Sequence, residues 1–203
     1  MSTFINSFWQ KAASFITMSS NSVSSSWSPT QITNSGSTLE WTVSNGVTIA
    51  KTTVDDPTFD FSGNTGTADI RVEKIDGLTS LTISVLGLTA LDVRMNTDLT
   101  YLNCQNNTIS ILDVSKNNAL TDLYCRSNTI PELDVSMNTE LQLLYCYDNN
   151  QASSITDQIF IDLDANGKSN GVLQIRNNRT SASDTARANL ITKSWTINDS
   201  YTT

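Results

Sequence analysis

Three tripeptides, Leu91-Asp92-Val93, Leu112-Asp113-Val114 and Leu133-Asp134-Val135, follow one another at steps of 21 residues in a chain of 203. The same step relates Cys104, Cys125 and Cys146, then Leu102, Leu123 and Leu144, then Asn107, Asn128 and Asn149. Asn96, Asn117 and Asn138 form a further series. Agreement at so many positions is beyond chance. A fixed period of this length means stacked units, each of which needs its neighbours to cover its apolar face.

One unit reads Leu99-x-x-Leu102-x-Cys104-x-x-Asn107-x-Ile109-x-x-Leu112-Asp113-Val114-Ser115. A short strand would point alternate side chains, such as Leu102 and Cys104, into a continuous core. The Asn at its end can hydrogen-bond turn backbone and so form a ladder along the stack. Leu112 and Val114 line the opposite wall. A unit of 21 residues leaves little room for a helix, so that wall is expected to be extended or loosely turned.

The pattern L-x-x-L-x-C-x-x-N-x-I resembles the leucine-rich repeat, with Cys in one of the buried Leu slots. The unit carrying Leu112-Asp113-Val114-Ser115-x-Asn117 is similar to short repeats common in surface proteins of Bacteroidetes bacteria and in phages of those hosts. The resemblance covers roughly residues 78–199. It implies an α/β fold, a short right-handed solenoid with a parallel sheet.

Degenerate units flank the clear ones. Leu78, Leu81, Ile83 and Leu88 fit an earlier repeat in which Leu86 replaces the ladder Asn. Leu173, Ile175 and Asn178 repeat the spacing of Leu144, Cys146 and Asn149 after a longer gap. The extra residues, Ser153 to Leu163, suit a helix with Ser154 as N-cap and Ile155, Ile159, Phe160 and Leu163 on one face. A second helical stretch, Ala182 to Lys193, leads to a last strand at Trp195-Thr196-Ile197. Together these read as a helical C-terminal cap.

Upstream the pattern changes. Leu39, Trp41 and Val43, then Asn45-Gly46, then Val47 and Ile49 predict a type I′ hairpin. Phe59-Asp60-Phe61 and Ile70-Arg71-Val72 continue a β pattern, so residues 37–77 read as a β-rich N-terminal cap module. Residues 19–36 are rich in Ser and Asn and read as a linker. Within residues 1–18, Phe4, Phe8, Ala12 and Phe15, with Ile5, Trp9 and Ile16, fit one helical face. Docking into an assembly or self-association through Phe4, Phe8, Trp9 and Ile16 is the expected role. Packing on its own β module is the alternative. With Lys11 its lone basic residue, that helix is poorly suited to a membrane surface.

Composition narrows the function. The net charge is −8 with only 12 Lys and Arg, which argues against a nucleic-acid groove. No His is present, which removes the usual general base and imidazole metal sites. Hydrophobic residues at 38% and charged ones at 16% are both scarce, and Ser, Thr and Asn fill the difference. That balance suits a β-rich extracellular or virion protein. No stretch reaches the length of a membrane span. The first residues lack a basic n-region and a clear cleavage site, which weighs against classical secretion.

The cysteines have functional readings as metal ligands, a disulfide or a nucleophile. A position that alternates with Leu, and is Ile83 and Ile175 in flanking units, is however a core position. Asp92, Asp113 and Asp134 point outward in a row and suit either a cation or local backbone amides. Asp162-Leu163-Asp164-Ala165-Asn166-Gly167 matches the start of a calcium loop, but the twelfth position is Leu173 instead of Glu. A helix-ending turn before Gly167 fits better. No metal or other cofactor is expected.

The outward face of the main sheet carries Tyr101, Asn103, Tyr124, Arg126, Tyr145, Tyr147 and Arg176, with four of the five tyrosines of the chain. Tyr with Arg and Asn on a rigid sheet is the composition of a recognition surface. The plainer reading is cross-strand stacking that stabilises the sheet. An enzyme would need paired carboxylates in a cleft, and Asp122 stands alone on this face. The expected function is therefore non-enzymatic binding of a protein or glycan. A phage virion spike, fibre or decoration protein is favoured, attached to other virion proteins through the N-terminus, with a homo-oligomer as a further expectation. A cell-surface or secreted bacterial adhesin is the alternative.

Overall fold

The computed structural model describes residues 78–176 and 178–201, the last two by their backbone alone, and the backbone of four earlier strands. Those four are β1 (Phe15–Ser20), β2 (Gln31–Asn34), β3 (Glu40–Val43) and β4 (Ala68–Glu73). Then come β5 (Leu78–Thr82), β6 (Leu88–Asp92), β7 (Tyr101–Asn103), β8 (Asp122–Tyr124) and β9 (Leu143–Tyr145). Helix α1 (Ser153–Asn166), β10 (Val172–Arg176), α2 (Asp184–Thr192) and β11 (Thr196–Tyr201) complete the order.

Each repeat is one coil, and successive coils stack strand on strand. Leu81, Leu102, Leu123, Leu144 and Leu173 stand in one parallel register. The sheet runs β11-β10-β9-β8-β7-β5 in parallel, with β2 added antiparallel at the β5 edge. The strands are short because the coil must turn. The residue at Val85, Asn106, Ser127 and Asp148 takes a left-handed φ between 53° and 61° in four successive coils and swings the chain off the sheet. Leu102, Cys104, Ile109 and Val114, with their equivalents, are buried in one continuous core.

Two asparagine ladders hold the coils in register, and both do so by satisfying backbone groups that the turns leave unpaired. Asn107 Nδ2 donates to the carbonyls of Cys104 and, one coil back, Ile83, both at 2.9 Å. Its Oδ1 accepts from the amides of Leu86 and Leu88. Asn128 and Asn149 repeat the pattern. On the other side, Asn117 donates to the carbonyls of Val93 and Asn96, and Asn138 to those of Val114 and Asn117. Asn166, at the end of α1, continues this second ladder with Nδ2 contacts to Val135 and Asn138.

The longer gap before β10 is filled by α1, as expected, but Ala152 occupies the N-cap position and Ser154 lies inside the helix. Ile159, Phe160 and Leu163 are fully buried and Ile155 packs at the margin. The helix also buries Asp157, which ties down the next coil. Its carboxylate accepts from the Thr180 amide and hydroxyl and from the Ser183 hydroxyl. Burial alone would raise this carboxyl, yet the Ser183 and Thr180 bonds outweigh it and hold it below the ordinary range. Gly167 ends α1 with a φ of 76°, in the left-handed region open to glycine. Trp195 then closes the last coil, its indole donating to Lys168 at 2.8 Å.

The N-terminal expectations need correction. Residues 15–18 are not helical: they belong to β1, which lies antiparallel between β4 and β6. Ile16, expected on an anchor helix, pairs with Val72 in that sheet. The stretch read as a linker supplies the end of β1 and all of β2, which pairs with β5. The order β3-β4-β1-β6 therefore extends the second wall of the solenoid as β2 extends the first. At residues 15–18 helical periodicity lost to backbone pairing with strands far along the chain. Phe4, Phe8 and Trp9 lie outside the described residues, as do the Asn45-Gly46 turn, Val47, Ile49 and Phe59-Asp60-Phe61. Within the described residues β3 pairs with β4, so Trp41 faces Val72 in register.

Candidate recognition face

The outward residues of the main sheet form three columns across the strands. The first contains Ser80, Tyr101, Asp122, Leu143 and Val172. The second contains Thr82, Asn103, Tyr124, Tyr145 and Gln174. A third, just beyond the strands, contains Gln105, Arg126, Tyr147 and Arg176. Alternation of side chains along each strand puts these groups outward because Leu102, Cys104 and their equivalents point inward.

Side-chain packing joins some of these residues and not others. Tyr101 and Tyr124 meet diagonally, ring centroids 5.5 Å apart and planes tilted by 44°. Tyr124 and Tyr145 stand in one column at 4.8 Å, nearly edge to face at 66°. These contacts leave the rings half-buried. Burial first, then Tyr101, Asp122 and Tyr145, raises the Tyr124 phenol above its usual range. The rings therefore brace one another across the strands and remain part-exposed.

Arg126 and Tyr147 form a second group. The guanidinium carbon lies 5.4 Å from the Tyr147 ring centroid, and Nε donates to Gln105 Oε1 at 2.7 Å. Arg176 turns instead to Asp148, with Nη2 donating to Oδ1 at 3.2 Å. Asn103 accepts from the Gln105 amide within its own turn. Gln105, not among the residues singled out in the sequence, orients Arg126. The same step of the repeat that relates the leucines relates Gln105 to Arg126, so the proximity was readable; the side-chain direction was not.

The other candidate positions are taken up by the fold. Cys104, Cys125 and Cys146 are free thiols with no exposed surface. Burial pushes the Cys104 and Cys146 thiols up to about 12 and raises that of Cys125 well above its normal value. Asp113 and Asp134 accept from the amides of Ser115 and Ser136 two residues on, the backbone role weighed above. Asp92 does the same for Arg94 and also pairs with its guanidinium. A groove of about 480 Å³ lies along this wall beside Asp113, Asp134 and Gln158. Among the described residues no group of three His, Cys, Asp or Glu side chains is placed to hold a metal ion.

The calcium-loop look-alike is also accounted for. Asp162 is buried in α1 with Oδ1 bonded to Gln158, and burial raises its carboxyl. Asp164 accepts from Lys193 and Asn189 and so joins α1 to α2. These residues terminate a helix, as expected for the turn before Gly167.

Stacked parallel strands, an inward leucine and cysteine register and buried asparagine ladders define a leucine-rich-repeat solenoid. No protein-family model matches the sequence. No curated protein matches it either. Among solved structures the chain is similar to the functional domain of InlJ from Listeria monocytogenes, described as including a cysteine ladder. The identity is 38% over 40% of this chain and 18% of that one, with a TM-score of 0.37. The chain therefore spans less than a fifth of the InlJ chain it matches.

Proposed function

We propose that this solenoid is a non-enzymatic recognition module that binds a surface of another molecule through its sheet face. The observation that carries the reading is the braced row Tyr101, Tyr124 and Tyr145, flanked by Arg126 on Tyr147. Aromatic and Arg side chains with restricted rotamers lose little entropy when a partner covers them, which is why they dominate binding energy at interfaces. Polar backbone is already satisfied within the coils, so the face remains rigid when it meets a ligand.

In its finer form the proposal places the chain on a phage virion, as a spike, fibre or decoration protein that contacts host surface protein or glycan. The scarcity of charge and wealth of Ser, Thr and Asn support an exposed location. Antibody against the solenoid should label virus particles purified from the source culture. Label confined to the bacterial envelope would replace the virion reading with a cell-surface adhesin.

The face itself is tested by replacing Tyr124 and Tyr145 together with Ala. Binding to host-surface material is expected to disappear while the unfolding midpoint falls only slightly. Binding that survives, together with a large loss of stability, would reduce the tyrosines to a brace for the sheet.

A further inference from the structure

We infer that Arg126 is a preset fork for a carboxylate, and that it receives an Asp or Glu side chain from a protein partner. The inference rests on the recognition face proposed above and names the chemistry its partner brings.

The chain holds 20 acidic residues against 12 basic ones, so a cation without an internal counter-ion stands out. Arg94, Arg176, Arg179 and Arg187 each pair with a carboxylate of this chain, respectively Asp92, Asp148, Asp184 and Asp199. Arg126 pairs with none among the described residues. Its position is nevertheless restrained twice. Gln105 takes the Nε proton at 2.7 Å, and the Tyr147 ring lies under the guanidinium carbon. These restraints hold the guanidinium plane and leave the two Nη groups as the edge that meets a partner. Two parallel N–H donors in one plane match the two oxygens of a carboxylate. Since the plane is already held, less rotamer entropy is lost when the ligand arrives.

The neighbouring rings favour a protein over an acidic sugar. Tyr124 and Tyr145 meet near edge to face at 4.8 Å, and Tyr101 leans on Tyr124. One face of Tyr147 is covered by Arg126 itself. In a tilted or edge-to-face pair one ring's edge covers its neighbour's face, so these rings offer less free ring face to a pyranose than to the side chains and backbone of a protein partner.

The test is an NMR titration of the full chain that observes the Arg126 Nε and Nη protons and the Tyr124 and Tyr145 rings. The probes are a capped glutamyl tripeptide, its glutaminyl counterpart and glucuronate. The glutamyl peptide should shift the Arg126 signals and bind about fivefold or more tightly than the glutaminyl one, the margin of a charge-assisted bidentate pair over a neutral contact. Arg126→Gln should abolish the response of the tyrosines to the glutamyl peptide. Arg126→Lys should weaken it about fivefold, because an ammonium keeps the charge and loses the fork. Gln105→Leu, which leaves Arg126 in place but unlocked, should weaken it too.

Equal shifts from the neutral peptide, or a glutamyl response that survives Arg126→Gln, overturn the inference. Tighter binding of glucuronate overturns the assignment to a protein partner. Silence at Arg126 with shifts at Tyr124 and Tyr145 removes the fork and leaves the recognition face standing. That face is judged separately by the tyrosine double variant.

Discussion

The Nδ2 group of Asn128 donates to the carbonyl of Cys104, 24 residues earlier in the chain and one coil away, at 3.0 Å. The same group reaches the Cys125 carbonyl at 3.1 Å, and Oδ1 accepts the Ile109 amide at 3.0 Å. One buried side chain therefore completes three backbone groups of two coils. Replacing Asn128 with Ala strands the Ile109 amide, whereas the Cys104 and Cys125 carbonyls keep the bonds from Asn107 and Asn149; an unpaired buried group costs about 1–3 kcal/mol. Asn128→Ala should lower the free energy of unfolding by about 2 kcal/mol in urea titration, from the one stranded amide and two weakened carbonyls. Asn128→Asp should be nearly as damaging, because a carboxylate cannot donate.

Val85 should respond in the opposite direction. It occupies the left-handed turn position with a φ of 61°, where the next coil has Asn106 at 56°. A β-branched side chain is strained there, and with 71% of its surface exposed Val85 loses little packing on replacement. Val85→Asn is expected to stabilise the protein by about 1 kcal/mol, read as a rise in denaturation midpoint at unchanged slope. A fall in midpoint would show that the exposed isopropyl group is held by contacts worth more than the strain.

Gly171 has no such freedom to change. A Cβ built on it would lie 2.5 Å from the Trp195 ring, which is itself buried and hydrogen-bonded. Gly171→Ala must push a rigid ring out of the last coil, at an expected cost of about 1–3 kcal/mol. Loss of the native Trp195 fluorescence in that variant, before global unfolding, would locate the damage at the cap.

The thiols impose an alkaline limit on stability. An unfolded cysteine ionises near its ordinary value of 9.0, whereas Cys104 and Cys146 in the fold require about 12 because burial disfavours the thiolate. The folded state binds these protons more tightly, so their contribution is complete below about pH 9 and is lost as pH rises toward 12. Unfolding free energy should fall steadily across that window. Below it, thiol reagents should modify all three cysteines at the rate of unfolding, and a fast-reacting thiol in the native protein would contradict their burial.

Removing residues 1–36 should not simply release a smaller solenoid. The deletion takes away β1 and β2, which pair with β6 and β5, and so uncovers an edge on each wall. Open edges template pairing with other chains. The truncated chain should therefore form heterogeneous aggregates in light scattering, whereas removal of residues 1–14 should leave a particle of discrete mass. A well-behaved monomer lacking residues 1–36 would mean the two edges are protected in some other way.

How much of this could be read beforehand differs along the chain. Between Leu78 and Asn149 each coil repeats the same local instruction. Leu102 and Cys104 go inward because a strand alternates, Asn107 turns back onto its own coil, and the next unit votes again for the same register. The tyrosine columns followed from that alternation too. Helix α1 was legible for a related reason, since Ile159, Phe160 and Leu163 mark one face, although its buried Asp157 and Asp162 did not announce their partners.

What remained closed to sequence reasoning were relationships without a period. Residues 15–20 carry apolar groups at spacings that suit a helix as well as a strand, and the choice was made by β4 and β6, more than 45 residues away in the chain. Arg126 and Gln105 were visible as neighbours one coil apart, but only packed side chains show which nitrogen is held and which edge is left to meet a partner. The sequence alone determined the coil, its core and the columns on its face, because those follow from local periodicity repeated many times. Tertiary structure decided how the first coil is capped and how the guanidinium is aimed, because single long-range hydrogen bonds, made once, leave no pattern to read.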